Sequence, residues 1–265
     1  MSGSLPVLGL VAAFLIGPPL EPTVSSKGEG PVPIVLERYE QAMCPLKSFE
    51  TDFTRIVYDG VWKVEYHSSG RVYFDAAGNA RIELIPDKVE ANQRGARYHI
   101  KPVSYAKWIF KSRFVFQFTK FDDVYKFADS HPQWPYKSVE YPRGRMPWHS
   151  VVPPILLGMT ASELQRKFRI QFVKHSAGGQ ILSFVPLDTK RRINLERMDV
   201  IFDDVSGLPM ATKMYDKGLK REEVIVFDRA TLKVNQPLQP GEDPLELEPN
   251  EFERLLREQI ATPIP

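Results

Sequence analysis

Apolar and polar positions alternate over three successive stretches early in the chain. Phe49, Thr51 and Phe53 fall on one phase, while Glu50, Asp52 and Thr54 fall on the other. Side chains of an extended chain point to alternate faces, so this pattern predicts a half-buried strand beginning at Ser48. Trp62, Val64 and Tyr66 alternate in the same way with Lys63, Glu65 and His67. Val72 and Phe74 alternate with Arg71 and Tyr73 ahead of a Gly78-Asn79 turn. Asp59-Gly60 reads either as a hairpin turn or as a bulge inside one longer strand. Before the strands, Ile34, Val35, Leu36, Tyr39, Ala42 and Met43 recur at helical spacing, and Pro45 halts the helix. An amphipathic helix of this kind is expected to lie on the sheet.

Further along, Ala80 to Ile85 continues the strand region. The stretch from Pro86 to Lys107 carries a weaker pattern, with a strand expected near Ala96 to Lys101. Phe114, Phe116 and Phe118 share one phase of the next strand, and Lys120-Phe121-Asp122-Asp123 predicts a turn into Val124 to Ala128. Ser130 to Pro154 holds six prolines among Trp134, Tyr136, Tyr141 and Trp148. Proline denies a ladder its donors, so this segment reads as an ordered irregular loop with short helical turns, covering something apolar. Thr160-Ala-Ser-Glu163 has the form of a capping box and starts a short helix through Lys167. Strands then follow at Phe168 to Lys174, Gly179 to Pro186, Leu195 to Phe202, Leu208 to Tyr215 and Glu222 to Phe227, with turns at Ser206-Gly207 and Lys217-Gly218. Within the acidic, proline-rich end, residues 249–260 suit a short amphipathic helix with Pro249 in its first turn.

Composition narrows the class of protein without choosing its partner. The 265 residues are 43% hydrophobic and 26% charged, in the range of ordinary globular chains, and the formal net charge is +2. No global field draws this chain to nucleic acid or to an anionic surface. Leu5 to Ile16 is an apolar run of signal-peptide length, shorter than the roughly 20 residues of a spanning helix. The expected organisation is a leader over 1–19, a linker over 20–33, one domain over 34–234, and a Pro/Glu-rich tail over 235–265 that contains the helix 249–260. Cys44 is the single cysteine, so no internal disulfide forms, and it is expected to serve as a small buried apolar residue.

Signals for catalysis are sparse. His67, His99, His131, His149 and His175 share no ligand spacing with one another or with Cys44, and no metal or other cofactor is expected. The chain carries no nucleophile elbow, phosphate-binding glycine loop or dinucleotide fingerprint, so it does not read as an enzyme. Asp122-Asp123 and Asp203-Asp204 fall at turns, where Asp bonds the following backbone. A hydrolase using Asp122, Asp123 or His131 is the least supported reading. Lys190-Arg191-Arg192, Arg197 and the stretch Lys213 to Arg221 form either solvated turns or a positive rim for anionic lipid headgroups, which would give peripheral membrane contact. No aromatic ladder interleaves with these bases, which argues against nucleic acid.

The order of helix, long strands, aromatic hairpin, irregular segment with short helix and closing strands resembles the bacterial LolA/LolB-like lipoprotein carriers, in an exported branch of that superfamily. The nearest residue matches are Ser48-Phe49 with Phe53-Thr54, the turn and strand around Asp122 to Phe127, and Met198 to Leu208, which runs into Asp203-Asp204-Val205-Ser206-Gly207-Leu208-Pro209. The resemblance implies an α+β, mainly antiparallel fold: an incomplete, strongly curved β-barrel, or half-barrel, with helices covering the open side. It also implies an apolar cavity for acyl chains, a lipid or acylated protein as ligand, and a periplasmic or cell-envelope location. An envelope stress sensor that binds a protein partner through the same fold is the alternative. Where the carriers place an Arg-Pro lid latch, this chain reads Asp75-Ala76-Ala77-Gly78, so the latch does not carry over.

The aromatic phase of the strands supplies the candidate cavity residues: Phe49, Phe53, Trp62, Tyr66, Phe74, Phe114, Phe116 and Phe118, with Trp134 and Trp148 in the covering segment. An acyl chain gains about 0.8 kcal/mol per buried methylene in such a trough. The same aromatics could instead pack against the Ile34 to Met43 helix as a dry core.

Overall fold

Helix α1, Val32–Met43, forms where the apolar spacing predicts it and begins two residues ahead of the expected Ile34. It buries Val35, Leu36, Tyr39 and Met43. A proline in its first turn forfeits no intrahelical bond, because the first N–H groups of a helix have no acceptor there. The helix stops as the Cys44 N–H closes on the Glu40 carbonyl at 2.8 Å and Pro45 follows. Cys44 is exposed at this turn, against the expectation that it is buried, because it follows the last helical residue instead of lying on the apolar stripe. The structure, a computed structural model, describes residues 31–76, 79–87, 98–101, 103, 105–111, 114–120, 137–140, 159–176, 178–187, 195–216 and 218–236. The expected leader, the tail helix and the strand expected at Val124 to Ala128 lie outside the described residues.

Strands β1, Ser48–Asp59, and β2, Val64–Asp75, pair antiparallel along their whole length. The turn between them is a hairpin and not a bulge. Asp59 Oδ1 accepts the N–H groups of both Val61 and Trp62 at 3.0 Å, and Lys63 takes a left-handed φ of 54°. The remaining elements are β3 Ala80–Pro86, β4 His99–Lys101, β5 Tyr105–Lys111, β6 Phe114–Lys120, β7 Lys137–Glu140, α2 Ala161–Lys167, β8 Phe168–Ser176, β9 Gly179–Pro186, β10 Leu195–Phe202, β11 Pro209–Asp216, β12 Arg221–Phe227 and β13 Lys233–Val234. A single turn of 3₁₀ helix, Arg229–Thr231, precedes β13.

The strands make one sheet of 13 in the order β7-β6-β5-β3-β2-β1-β12-β11-β10-β9-β8, with β13 beside β1 and β4 beside β2. All described pairings are antiparallel except β2 with β4. The sheet is not closed, since β7 and β8 end the path on opposite sides. Its midline is the β1–β12 pairing, which joins the first long strand to nearly the last.

Two strands fall where the sequence pattern is silent. In β5, Ala106 is buried on one face and Ile109 on the other, so burial on both sides erases the alternation. β7 lies inside the proline-rich stretch read as irregular. Pro135 and Pro142 fall outside its four residues, and it ends the ordered path of strands, where flanking prolines remove no ladder bond.

The main core forms between the helices and one sheet face. Tyr39 of α1 meets Phe202 edge-on at 5.6 Å, and Phe168 meets Phe184 edge-on at 5.9 Å. Helix α2 has the predicted capping box. The Glu163 N–H donates to Thr160 Oγ1 at 3.2 Å, and the Thr160 N–H donates to Glu163 Oε2 at 3.0 Å. This fixes a helix of seven residues whose Leu164 is fully buried. A smaller cluster of Ile181, Ile201, Ala211, Val224 and Val226 lies on the opposite face. Among the described residues, no helix is long and apolar enough to cross a membrane.

Candidate functional site

Directly opposed residues of antiparallel strands share a face, so the register lays the core-facing side of the sheet out in rows. One row runs Phe49, Phe74, Ala80, with the rings of Phe49 and Phe74 stacked at 5.1 Å and 21°. After a row of Thr51, Val72, Ile82 and Trp108, a further row runs Phe227, Phe53, Gly70, Leu84, Ala106. The row after it holds Val200, Thr212, Ile225, Arg55, Ser68 and Pro86, and the last holds Met198, Met214, Glu223, Val57 and Tyr66. The face is mainly apolar, broken by Thr51, whose hydroxyl donates to the Asp228 carbonyl at 2.9 Å, and at the centre of these last two rows.

Four of the residues expected on this face are there. Phe49 and Phe53 are buried in the main core, and Phe74 and Tyr66 are half-buried at the same phase. Trp62 is not among them. It sits in the hairpin turn at 75% exposure, because the turn interrupts the alternation that would have carried it inward. Phe114, Phe116 and Phe118 fall on β6, in backbone register with Lys111, Ile109 and Lys107 of β5. β5 contributes Ala106 and Trp108 to the main core, and the sequence pattern singled out neither. Trp134 and Trp148 lie outside the described residues.

The polar centre of the face is an ion pair. Arg55 Nε donates to Glu223 Oε1 at 2.7 Å, and the two side chains are only 16% and 19% exposed. Ser68 lies directly opposite Arg55, and Thr212 is separated from it by Ile225 alone. Both hydroxyl residues are fully buried, and neither Ser68 Oγ nor Thr212 Oγ1 has a hydrogen-bond partner. A charged side chain on the phase of Phe49, Phe53 and Val57 was visible in the sequence as a break in the apolar series. Its partner was not, because Glu223 is 168 residues away.

Of the cations raised for a positive rim or solvated turns, Lys220 and Arg221 are exposed, while two others lie on the opposite face of the sheet. Lys213 is buried and Arg197 half-buried, and both are paired, with Arg197 3.2 Å from Asp199 and Lys213 2.8 Å from Glu222. Both cations also stand over the Tyr215 ring, at 4.3 and 5.1 Å. Burial pushes the Asp199 carboxyl above its ordinary range, against the pull of Arg197, Ser183, Tyr215 and Lys213. The Tyr215 hydroxyl is pushed up by burial and by Asp199. Lys190, Arg191 and Arg192 lie outside the described residues.

Other groups raised by the sequence have local roles. Asp203 Oδ1 accepts the N–H groups of Val205 and Ser206 at 3.0 and 2.6 Å, and Asp203 also pairs with Arg229. This is the turn role expected of it. Asp122, Asp123, His131 and His149 lie outside the described residues. His67 bonds Glu65 at 2.9 Å and His175 bonds Asp204 at 2.7 Å. Between α1 and the Asp203 to Gly207 turn is a crevice of about 10 Å³, room for no more than one water.

No protein-family model matches the sequence, and no curated protein matches it. Solved structures similar in fold to this chain include MucB, at 16% identity and a TM-score of 0.43, covering 84% of this chain and 64% of that one. A LolA superfamily protein from Nitrosomonas europaea is 8% identical with a TM-score of 0.33, covering 80% and 96% of the two chains. LprF from Mycobacterium bovis is 10% identical with a TM-score of 0.37, covering 78% and 94%. The chain therefore spans less than two thirds of the length of the first of these.

Proposed function

We propose that the protein is a carrier-like binding protein of the cell envelope, which holds the acyl portion of a lipid or acylated protein against the apolar face of its unclosed sheet. The observation that carries this reading is the width of that face. It extends over nine successive strands from β8 to β5, about 38 Å at the usual spacing between strands. Helices α1 and α2 have 12 and seven residues, about 18 and 10 Å of helix. Laid end to end they are shorter than the face is wide. Acyl methylenes suit such a surface, each contributing about 0.8 kcal/mol on burial. The resemblance of the Ser48 to Thr54 and Met198 to Pro209 segments to the lipoprotein carriers supports the same assignment. The reading is of a binding protein and not of a catalyst, with export directed by the 1–19 segment.

The test is extraction. Full-length protein purified from a host with intact membranes is extracted into organic solvent, and the extract is examined by mass spectrometry. Acyl species in stoichiometric amount are expected. Repeated recovery of folded protein with no acyl species, and with none taken up on incubation with lipid vesicles, overturns the reading.

A further inference from the structure

We infer that Arg55, Glu223, Ser68 and Thr212 form a polar anchor for the head of the bound chain, an oxygen acceptor at the end of an acyl group. This rests on the carrier reading and adds where, and by what chemistry, the ligand is held.

The argument begins with what a packing core needs. Setting an ion pair into an apolar face costs several kcal/mol of desolvation per ion unless the remaining donors and acceptors are also satisfied. Among the described residues, Arg55 bonds Glu223 through Nε alone, so both terminal nitrogens and Glu223 Oε2 have no protein partner and are open to water or to a ligand. The hydroxyl directly opposite Arg55, Ser68 Oγ, and that of Thr212 two strands away are buried and unpartnered. Buried hydroxyls with no acceptor or donor are uncommon in folded proteins. Two on one row, flanking a guanidinium with free donors, make a site short of its ligand.

The donors outnumber the acceptors, so the missing group is an oxygen acceptor. Glu223 already neutralises Arg55, which favours the neutral carbonyl of an ester or amide over a carboxylate. An adjacent N–H or O–H of the ligand has Glu223 Oε2 to receive it. Around this centre stand Met198, Met214, Val57, Ile225 and Phe53, the apolar surface on which the chain itself would lie.

The experiment is competition against a fluorescent acyl probe, parinaric acid, on delipidated full-length protein. Monopalmitoylglycerol, palmitate and hexadecane share one chain length and differ in the head. Ser68→Ala, and Arg55→Met combined with Glu223→Met so that neither charge is left alone, should each weaken monopalmitoylglycerol about tenfold, the size of one lost hydrogen bond to a charged or buried group. Hexadecane should displace the probe equally well from wild type and variants. A loss that is larger for palmitate than for monopalmitoylglycerol identifies a carboxylate as the head bound at the same anchor. Equal losses for all three ligands, or none for any, overturn the anchor while leaving acyl binding in place. A wild type that binds none of the three overturns the carrier reading and the anchor with it. If the double variant fails to melt cooperatively, Ser68→Ala decides alone.

Discussion

Phe53 lays its ring over the bare α-carbon of Gly70, its partner across the β1–β2 ladder. A β-carbon at Gly70 would stand 2.6 Å from Phe53 Cζ and 2.0 Å from the carbonyl oxygen of Glu83 on β3. The first neighbour is the far end of a side chain and can swing. The second is backbone of the next strand and cannot move without opening the β2–β3 ladder. Gly70→Ala is therefore expected to destabilise the protein by at least about 2 kcal/mol, the upper part of the range for overpacking. Adding Phe53→Leu should restore only a minor part. Urea unfolding of the two variants checks this. Full recovery in the double variant would place the clash on the ring and not on the strand.

That contact also marks the limit of what the sequence disclosed. The phase of β1 and β2, the capping box, the helix of Leu36 and Tyr39 and the strands from Phe168 onward were legible, because each is a local period or a local bond. What was not legible is how strands pair across the sheet: β6 meets β5 with Phe116 opposite Ile109, and nothing within the seven residues of β6 encodes that register. The anchor shows the same division. Arg55 could have been found as a charge on the phase of Phe49 and Phe53, although it was not singled out, whereas Glu223 reaches it through the β1–β12 pairing, a long-range contact invisible to any window. Arg197 and Lys213 read as rim charges because sequence shows a charge and not its burial.

The capping box sets the second expectation. Thr160→Ala removes the acceptor for the Glu163 N–H and should cost about 1 kcal/mol. The loss is felt globally because α2 delivers the fully buried Leu164 to the core. Glu163→Gln keeps the reach to the Thr160 N–H and should be nearly neutral at acid pH. The Glu163 carboxyl lies below its ordinary range, held there first by the Thr160 backbone N–H. A depressed carboxyl contributes stability above its unfolded pKa and loses it as pH falls through the folded value. Wild type should thus lose its advantage over Glu163→Gln on acidification. An advantage that grows in acid would contradict the assignment.

Asp199 should show the reverse dependence. Its carboxyl is raised by burial, so the folded state holds the proton to higher pH than the unfolded chain does. The stability this contributes is complete below the unfolded pKa, near 4, and is lost as pH rises through the folded value. The stability of wild type relative to Asp199→Asn is therefore expected to fall as pH is raised from below 4 toward neutrality. Denaturant melts in a pH series give the sign directly. A relative stability that rises over that range would mean that Arg197 and Lys213 outweigh burial.

The orphan hydroxyls give the sharpest stability test, since removing a polar atom is expected to strengthen the empty protein. Thr212 is fully buried between Val200 and Ile225 with no partner for Oγ1, so Thr212→Val exchanges an unsatisfied hydroxyl for a methyl of similar volume. An unmet buried hydroxyl costs about 1 kcal/mol or more, and the substitution should return about that amount in urea unfolding of delipidated protein, with an unchanged slope. Ser68→Ala should act in the same direction and more weakly, because the smaller side chain leaves a small void. In the presence of bound acyl ligand the order should invert for Ser68→Ala, whose hydroxyl stands opposite Arg55: the ligand stabilises wild type by mass action, and the variant binds it less tightly. Destabilisation of the empty protein by either change would show that its hydroxyl already has a partner. Stabilisation with ligand binding intact would mark the hydroxyls as plain packing defects of the sheet.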